Sequence, residues 1–233
     1  MNTASSLDVL CVGNAAYDLI FTVPHHPGPD EKCFADGFFA CGGGPAANAA
    51  VTAARLGCKS AFAGYLGNDF YGHAHCEELR RDGVVIDFLV RGAAPTPLSI
   101  ILVKPDGSRT IISYHAGTKK LPAEVLDLAT CKAKVMLCDG HEPSLAQACI
   151  SACRERGIAT VLDAGSVHEG TRLLAPRVDY LVASEKFSRD FTGDSNPVSA
   201  ALKLHRHAPT VVITRGRQGL VWHNGAGSGS LAA

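Results

Sequence analysis

Neither sign of charge prevails in this chain, where 22 Lys and Arg balance 22 Asp and Glu. Without a net basic field it has no general hold on nucleic acid or on an anionic membrane. No apolar run reaches the ~18 residues of a membrane span. Residues 1–10 have neither the basic start nor the apolar stretch of a secretory leader. Nine cysteines occur, an odd number, with no Cys-x-x-Cys pair. Cys149 and Cys153 share one helix face, but no His or Cys cluster completes a metal site, so no metal ligand is assigned. The cysteines read as small core hydrophobes in a reducing cytoplasm. Repeats are missing, and low complexity is confined to the Gly/Ser-rich residues 225–230. Carboxylates are missing too from residue 195 to Ala233.

What is present suffices for an ordinary globular core, at 233 residues with 46% hydrophobic and 19% charged. The chain is organised around Gly42-Gly43-Gly44-Pro45-Ala46-Ala47-Asn48. Three glycines remove every Cβ from a loop, so backbone can come close to a ligand. Pro45 suits a helix start, the Ala-rich residues that follow favour helix, and Gly57 sits where the helix should stop. A helix N-terminus leaves backbone N–H groups free to meet a ligand. Asn48 adds a side chain that both donates and accepts, matching a sugar hydroxyl. Tight packing of a glycine loop under a small-residue helix is the other reading of the same residues.

Residues 8–13 read as a buried strand closed by glycine, with Asn14 to Asp18 at its C-terminal end, where open α/β sheets bind ligands. Residues 20–23 and 33–40 read as strands separated by Pro24, Pro27, Gly28 and Pro29. A second pair, 99–103 and 110–114, flanks the turn Pro105-Asp106-Gly107. Residues 60–65 and 84–90 read as strands and 71–82 as a helix ended by Gly83. From residue 121 helices (122–128, 144–156, 169–174, 197–207) alternate with strands (135–138, 159–162, 180–182, 211–213). That alternation implies βαβ units and a mostly parallel sheet. Asp139-Gly140-His141, Asp163-Ala164-Gly165, Ser184-Glu185 and Thr214-Arg215-Gly216 then fall on one rim of it. Residues 225–230 read as a linker.

Gly43-Gly44-Pro45-Ala46-Ala47-Asn48-Ala49-Ala50, then six residues to Gly57 and nine more to Gly67, resembles the first signature of the ribokinase-like (PfkB) carbohydrate kinases. The segments 64–69 and 81–84 have counterparts in that family. The resemblance implies a ribokinase-like α/β three-layer sandwich in one domain spanning 1–233 and incomplete at its C-terminus. Its central mostly parallel sheet would carry a small β-sheet lid from segments near 19–40 and 98–115. The implied function is ATP-dependent phosphorylation, with Mg²⁺, of a hydroxyl on a small sugar. The ketohexokinase-like segment 105–111 points to a ketose. The family places a sugar-gripping Asp after its first strand, and Asp18 falls on it, so Asn14, Asp18, Gly42, Gly43 and Asn48 are the implied sugar contacts. Arg109 stands where ketohexokinases have a phosphate-reaching arginine. Thr214-Arg215-Gly216-Arg217-Gln218-Gly219 looks like the family's Thr-x-Gly-x-x-Gly turn against the nucleotide. Ser184 and Glu185 lie at the family's Asn-x-x-Glu, from which this chain departs, with Ser184 at the Asn position and Phe187 at the Glu position. A homodimer through the lid and a cytoplasmic location belong to the same expectation.

In that family a Gly-Ala-Gly-Asp segment opening a late helix supplies both the anion hole and the base. Gly225-Ala226-Gly227-Ser228 matches it only superficially, with Ser228 at the Asp position. No catalytic residue is therefore assigned within the chain, and the base is expected beyond Ala233. The 233 residues are expected to be inactive alone, and a sugar-binding or dimerising remnant is the alternative. A dinucleotide oxidoreductase is disfavoured, because Gly13-Asn14-Ala15-Ala16-Tyr17-Asp18 after the first strand is no G-x-G-x-x-G.

Overall fold

The computed structural model describes residues 6–115, 117–127 and 132–233. The first half of the chain forms β1 (Leu7–Val12), β2 (Ala16–Thr22), β3 (Gly37–Gly43), α1 (Pro45–Arg55), β4 (Ser60–Gly67) and α2 (Phe70–Arg81). Then come β5 (Leu89–Gly92), β6 (Leu98–Val103), β7 (Arg109–Tyr114) and β8 (Ala133–Cys138). The second half runs α3 (Pro143–Glu155), β9 (Ala159–Ala164), α4 (Glu169–Leu174), β10 (Tyr180–Ser184), α5 (Glu185–Thr192) and α6 (Pro197–Leu204). It ends with β11 (Thr210–Thr214), β12 (Leu220–Asn224) and β13 (Gly227–Leu231).

Nine strands make one sheet in the order β13-β12-β11-β10-β9-β8-β1-β4-β5. It is parallel from β11 to β5 and antiparallel only where β12 and β13 close its edge. Four more strands, β3-β2-β6-β7, form the lid sheet. This is the ribokinase-like α/β arrangement of a large, mostly parallel sheet with a small lid.

Burial follows from strand alternation. Leu10, Val12, Met136, Cys138, Leu162, Ala164, Leu181 and Ile213 point into the core under α3 to α6. Cys11, Phe62 and Leu66 point the other way, under α1 and α2. Those two helices pack on β1, β3 and β4, so Val135, Val161, Val182 and Val212 remain half-exposed.

Local chemistry explains the helix boundaries. Pro45 and Pro143 open α1 and α3, where a missing N–H costs nothing. Asp69 caps α2 through the Gly72 N–H, and Asn196 caps α6 through Val198 and Ser199. The turn between β6 and β7 is held by Asp106, whose carboxylate accepts from both the amide and the hydroxyl of Ser108. Among the described residues no helix is long and apolar enough to cross a membrane.

Several expectations are corrected. Gly42 and Gly43 end a strand, so only Gly44 forms the link to α1, at φ 97°. The strand expected at 33–40 lies at Gly37–Gly43. Within 84–90 only Leu89 and Val90 are in a strand, and Val85 makes an isolated bridge to Ala61. The helix expected at 122–128 is a single 3₁₀ turn at Ala123–Val125, with Leu128 outside the described residues. Residues 185–192 form α5, and the supposed linker forms β13, paired with β12 from Leu220↔Leu231 to Asn224↔Gly227. Backbone pairing made that strand despite poor β propensity, with Asn224 accepting from the amides of Ala226 and Gly227 at the hairpin turn. Cys11, Cys76 and Cys138 are buried as expected, whereas Cys58 is exposed.

Candidate functional site

The site begins where β1 ends. Asp139, just after the neighbouring β8, is 2% exposed, and its carboxylate gathers three backbone amides. Asn14 N donates to Oδ2 at 2.8 Å, Ala46 N to Oδ2 at 3.1 Å and His141 N to Oδ1 at 2.8 Å. A Cβ on Gly13, which holds φ 152°, would occupy the place of that carboxylate. One side chain thus ties the end of β1, the start of α1 and the turn after β8. Burial pushes the Asp139 carboxyl above its ordinary pKa, against the pull of the three amides.

This changes the part played by the N-terminus of α1. Pro45 has no N–H, Ala46 donates to Asp139, Ala47 to Asn14 O at 3.4 Å and Asn48 to Gly44 O at 2.9 Å. The first-turn amides expected to meet a ligand are satisfied within the protein. What α1 presents is the exposed Asn48 side chain, which has no hydrogen-bond partner among the described residues.

Asp18 lies on β2, opposite Cys41 of β3 and Ser99 of β6. It is half-buried, and burial raises its pKa while the Ser99 hydroxyl and the Arg109 charge oppose the rise. Gly43 is needed beside it, because a Cβ there would collide with the Asp18 carboxylate. Gly42 faces the other way. Its amide donates to Glu78 Oε2 of α2 at 2.6 Å, and a Cβ would strike the buried His75 ring. Gly43 and the Arg109 charge therefore meet at Asp18, Asn14 follows the end of β1, Asn48 lies in the first turn of α1, and Gly42 holds β3 against α2.

The residues expected at the nucleotide lie along the same rim. Ser184 and Thr214 are paired neighbours on β10 and β11. The Ser184 hydroxyl caps α5, accepting from Phe187 N at 2.9 Å and donating to Gly165 O at 2.7 Å, so both its roles are filled. Glu185 lies 3.6 Å from the Arg215 guanidinium, which also bonds Gln218. Thr214 Oγ1 donates to Ala183 O at a long 3.4 Å. Gly216, at φ 53°, starts the 3₁₀ turn. Gly219, at φ 78°, packs against the backbone of Leu231, where any Cβ would collide. Its glycine is thus explained by β13. Three strand spacings separate β1 from β10, or ~14 Å at about 4.8 Å each. Between them, at the end of β9, Asp163 is a half-buried carboxylate with no partner among the described residues. Burial and the Asp139 charge raise its pKa.

The superficial match to the Gly-Ala-Gly-Asp segment is corrected by its setting. Gly225 and Ala226 form the hairpin turn, while Gly227 and Ser228 begin β13, so no helix opens there to present amides to an anion. Ala233, beyond which the base is expected, is exposed and follows the end of that edge strand at Leu231.

Among the described residues, no three His, Cys, Asp or Glu side chains gather into a metal site. A cleft of about 380 Å³ opens at the opposite rim of the sheet, where β9 and β10 begin, beside Arg154, Asp179 and Tyr180, and none of the expected site residues lines it.

Asp139 is the residue that sequence reasoning placed on the rim without a role. The signal was there, a carboxylate at a strand end followed by glycine, but two of its three partners are 93 and 125 residues away.

The comparisons with known proteins bear on family and fold. Residues 6–233 match the model of the pfkB family carbohydrate kinases. Mouse ribokinase is 28% identical over 225 residues, covering 91% of this chain and 70% of the relative. The structure of Giardia lamblia ribokinase superimposes with a TM-score of 0.86 at 18% identity, over 98% of this chain and 75% of that one. Arabidopsis thaliana ribokinase, solved with ribose and ATP, gives 0.81 at 21% identity, over 97% and 78%. With the family model spanning all but the first five residues, the chain belongs to the pfkB family of carbohydrate kinases.

Proposed function

We propose that this chain binds a small sugar, a ketose, together with ATP, as part of a kinase that transfers the γ-phosphoryl group to a sugar hydroxyl. The observation that carries the reading is the half-buried Asp18 carboxylate, set against bare Gly43 backbone at the end of the strand that leads into α1, whose first turn exposes the unpartnered Asn48 side chain. An ionised carboxylate only accepts, so it takes two sugar O–H groups, while Asn48 serves hydroxyls in either sense. Asn14 completes the sugar end, and Gly42 keeps the strand in register with α2. Arg109, from the lid, faces the phosphates. At the other end Thr214 and Gly216 take the nucleotide, with Ser184, Glu185 and Gly219 shaping that turn. Asp163 is the rim carboxylate that would meet the water shell of a Mg²⁺ carried on the triphosphate, whose charge the ion would neutralise. The ketose rests on the resemblance of residues 105–111. The 233 residues act as one domain, in the cytoplasm, with the lid closing to exclude water.

Phosphoryl transfer to an alcohol needs a base for the hydroxyl proton. The last carboxylate side chain before Ala233 is Asp194, in the turn after α5, where it bonds Ser199 and Lys203. We infer that these residues alone bind sugar but turn over negligibly. A binding or dimerising role is supported by the lid. Phe38 is 62% and Phe39 61% exposed on β3, Ile111, Ile112 and Tyr114 are exposed on β7 at the other edge of the lid sheet, and a second copy laid lid to lid would cover such residues.

Titration calorimetry with fructose and with ribose on wild type and Asp18→Asn tests the sugar site. Fructose should bind the wild type, and the variant should lose at least about tenfold in affinity, the scale of a charged hydrogen bond. Equal affinities would refute the assignment of Asp18. Robust ADP release from the 233 residues would refute the inference about the base.

A further inference from the structure

A small cleft opens directly beside the sugar end of the rim, lined by Asn14, Tyr65, His115, Lys119, Lys120 and Glu142. It shares Asn14 with the candidate site, and Pro97 in its lining lies two residues before Ser99, the strand partner of Asp18. Just behind it the His141 ring stacks on His168, with centres 4.8 Å apart. His141 feels the charges of both Lys120 and His115.

One acid, Glu142, shares this lining and feels the Lys120 charge, but it does not pair closely with either lysine. Neither Lys119 nor Lys120 makes an ion pair among the described residues. The acids nearby are turned to backbone: Glu142 is buried and accepts from Leu121 N at 2.6 Å, and Asp139 holds its three amides. Asp163 faces the rim beyond Asp139 rather than the cleft lining. Burial and the neighbouring cations hold His141 down to about 4. A neutral sugar would leave both ammonium groups without a close ion pair, whereas an anion would supply one.

We propose that the sugar accepted by this chain carries an anionic group, a carboxylate, sulfonate or phosphate ester, seated against His115, Lys119 and Lys120 while its hydroxyls reach Asp18 and Asn48. This rests on the sugar-kinase reading above and narrows its substrate class.

The test is calorimetry on the 233-residue chain at neutral pH with fructose, fructose 6-phosphate and galacturonate. At least one anionic probe should bind about tenfold or more tighter than fructose, and the advantage should shrink in high salt. The double variant Lys119→Gln, Lys120→Gln changes only exposed side chains. It should bring the anionic probe down to the affinity of fructose and leave fructose unchanged. Which anion gains most identifies its source as phosphoryl or carboxylate. Fructose binding as tightly as both anions, or weakening equally in the double variant, would overturn the proposal while leaving the sugar site standing. Failure of all three probes to bind would remove the sugar reading and this inference with it.

Discussion

Replacing Asp139 by alanine removes one carboxylate and orphans three amides at once. The Ala46 N–H is fully enclosed, and losing its acceptor costs about 2 kcal/mol. Asn14 and His141 are half-buried, so water recovers part of their loss, leaving about 1 kcal/mol each. The total is about 4 kcal/mol, a large share of the roughly 5–15 kcal/mol that keeps a domain folded. Removing a buried charge returns some of this, since burial already raises the Asp139 pKa. Urea unfolding followed by circular dichroism is the assay. With a slope of about 3 kcal/mol per molar, suited to a chain of this size, the midpoint should fall by about 1.3 M at unchanged slope. Asp139→Asn separates charge from geometry. The asparagine oxygen can serve either the Asn14 and Ala46 pair or His141, and its NH₂ then faces a donor. It should therefore also destabilise, by about 1–3 kcal/mol. A midpoint within about 0.2 M of wild type for Asp139→Ala would mean that these amides find equal partners elsewhere, and the keystone role would fall.

Gly43→Ala should leave the strand intact but push the Asp18 carboxyl aside, costing about 1–3 kcal/mol in stability and most of the sugar affinity. Circular dichroism with calorimetry would show the two effects separately. Because burial raises the Asp18 pKa, sugar affinity should fall on acidification at a pH above the ordinary carboxylate value of about 3.9, and Asp18→Asn should show no such dependence. Burial lowers the His75 pKa from 6.5 to about 4, so the unfolded chain takes up that proton first. Its contribution is fully present above pH 6.5 and is lost as pH falls toward 4. At 1.36 kcal/mol per unit this amounts to about 3 kcal/mol, and His75→Gln should flatten the stability curve over that window by this amount.

Much of the fold is legible because its signals are local. The Ala-rich run after Pro45, the turn at Asp106-Gly107 and the alternation of short apolar runs with helices each announce themselves within about ten residues. Asp18 is singled out only through the family resemblance, and the structure explains Gly43 rather than Asp18: the bare backbone leaves room for the carboxylate. The failures are of another kind. β13 is Gly/Ser-rich and carries no apolar alternation, so nothing local marks it as a strand. It exists because β12 offers it an edge, and Gly219 is glycine because Leu231 returns beside it. The three glycines before α1 look like one loop but have separate reasons. Gly42 makes room for His75, Gly43 for Asp18, and Gly44 turns the chain through positive φ beside the Asn14 carbonyl. Asp139 is the clearest case. A carboxylate after a strand is ambiguous by itself, and its meaning depends on β8 lying next to β1 in the sheet. Once that order is known, Gly13 and Asp139 explain each other: the missing Cβ of one is the space occupied by the carboxylate of the other. The same order explains why the Ala46 amide of α1 is closed to ligand, which is why the proposed sugar site relies on the side chains of Asp18 and Asn48.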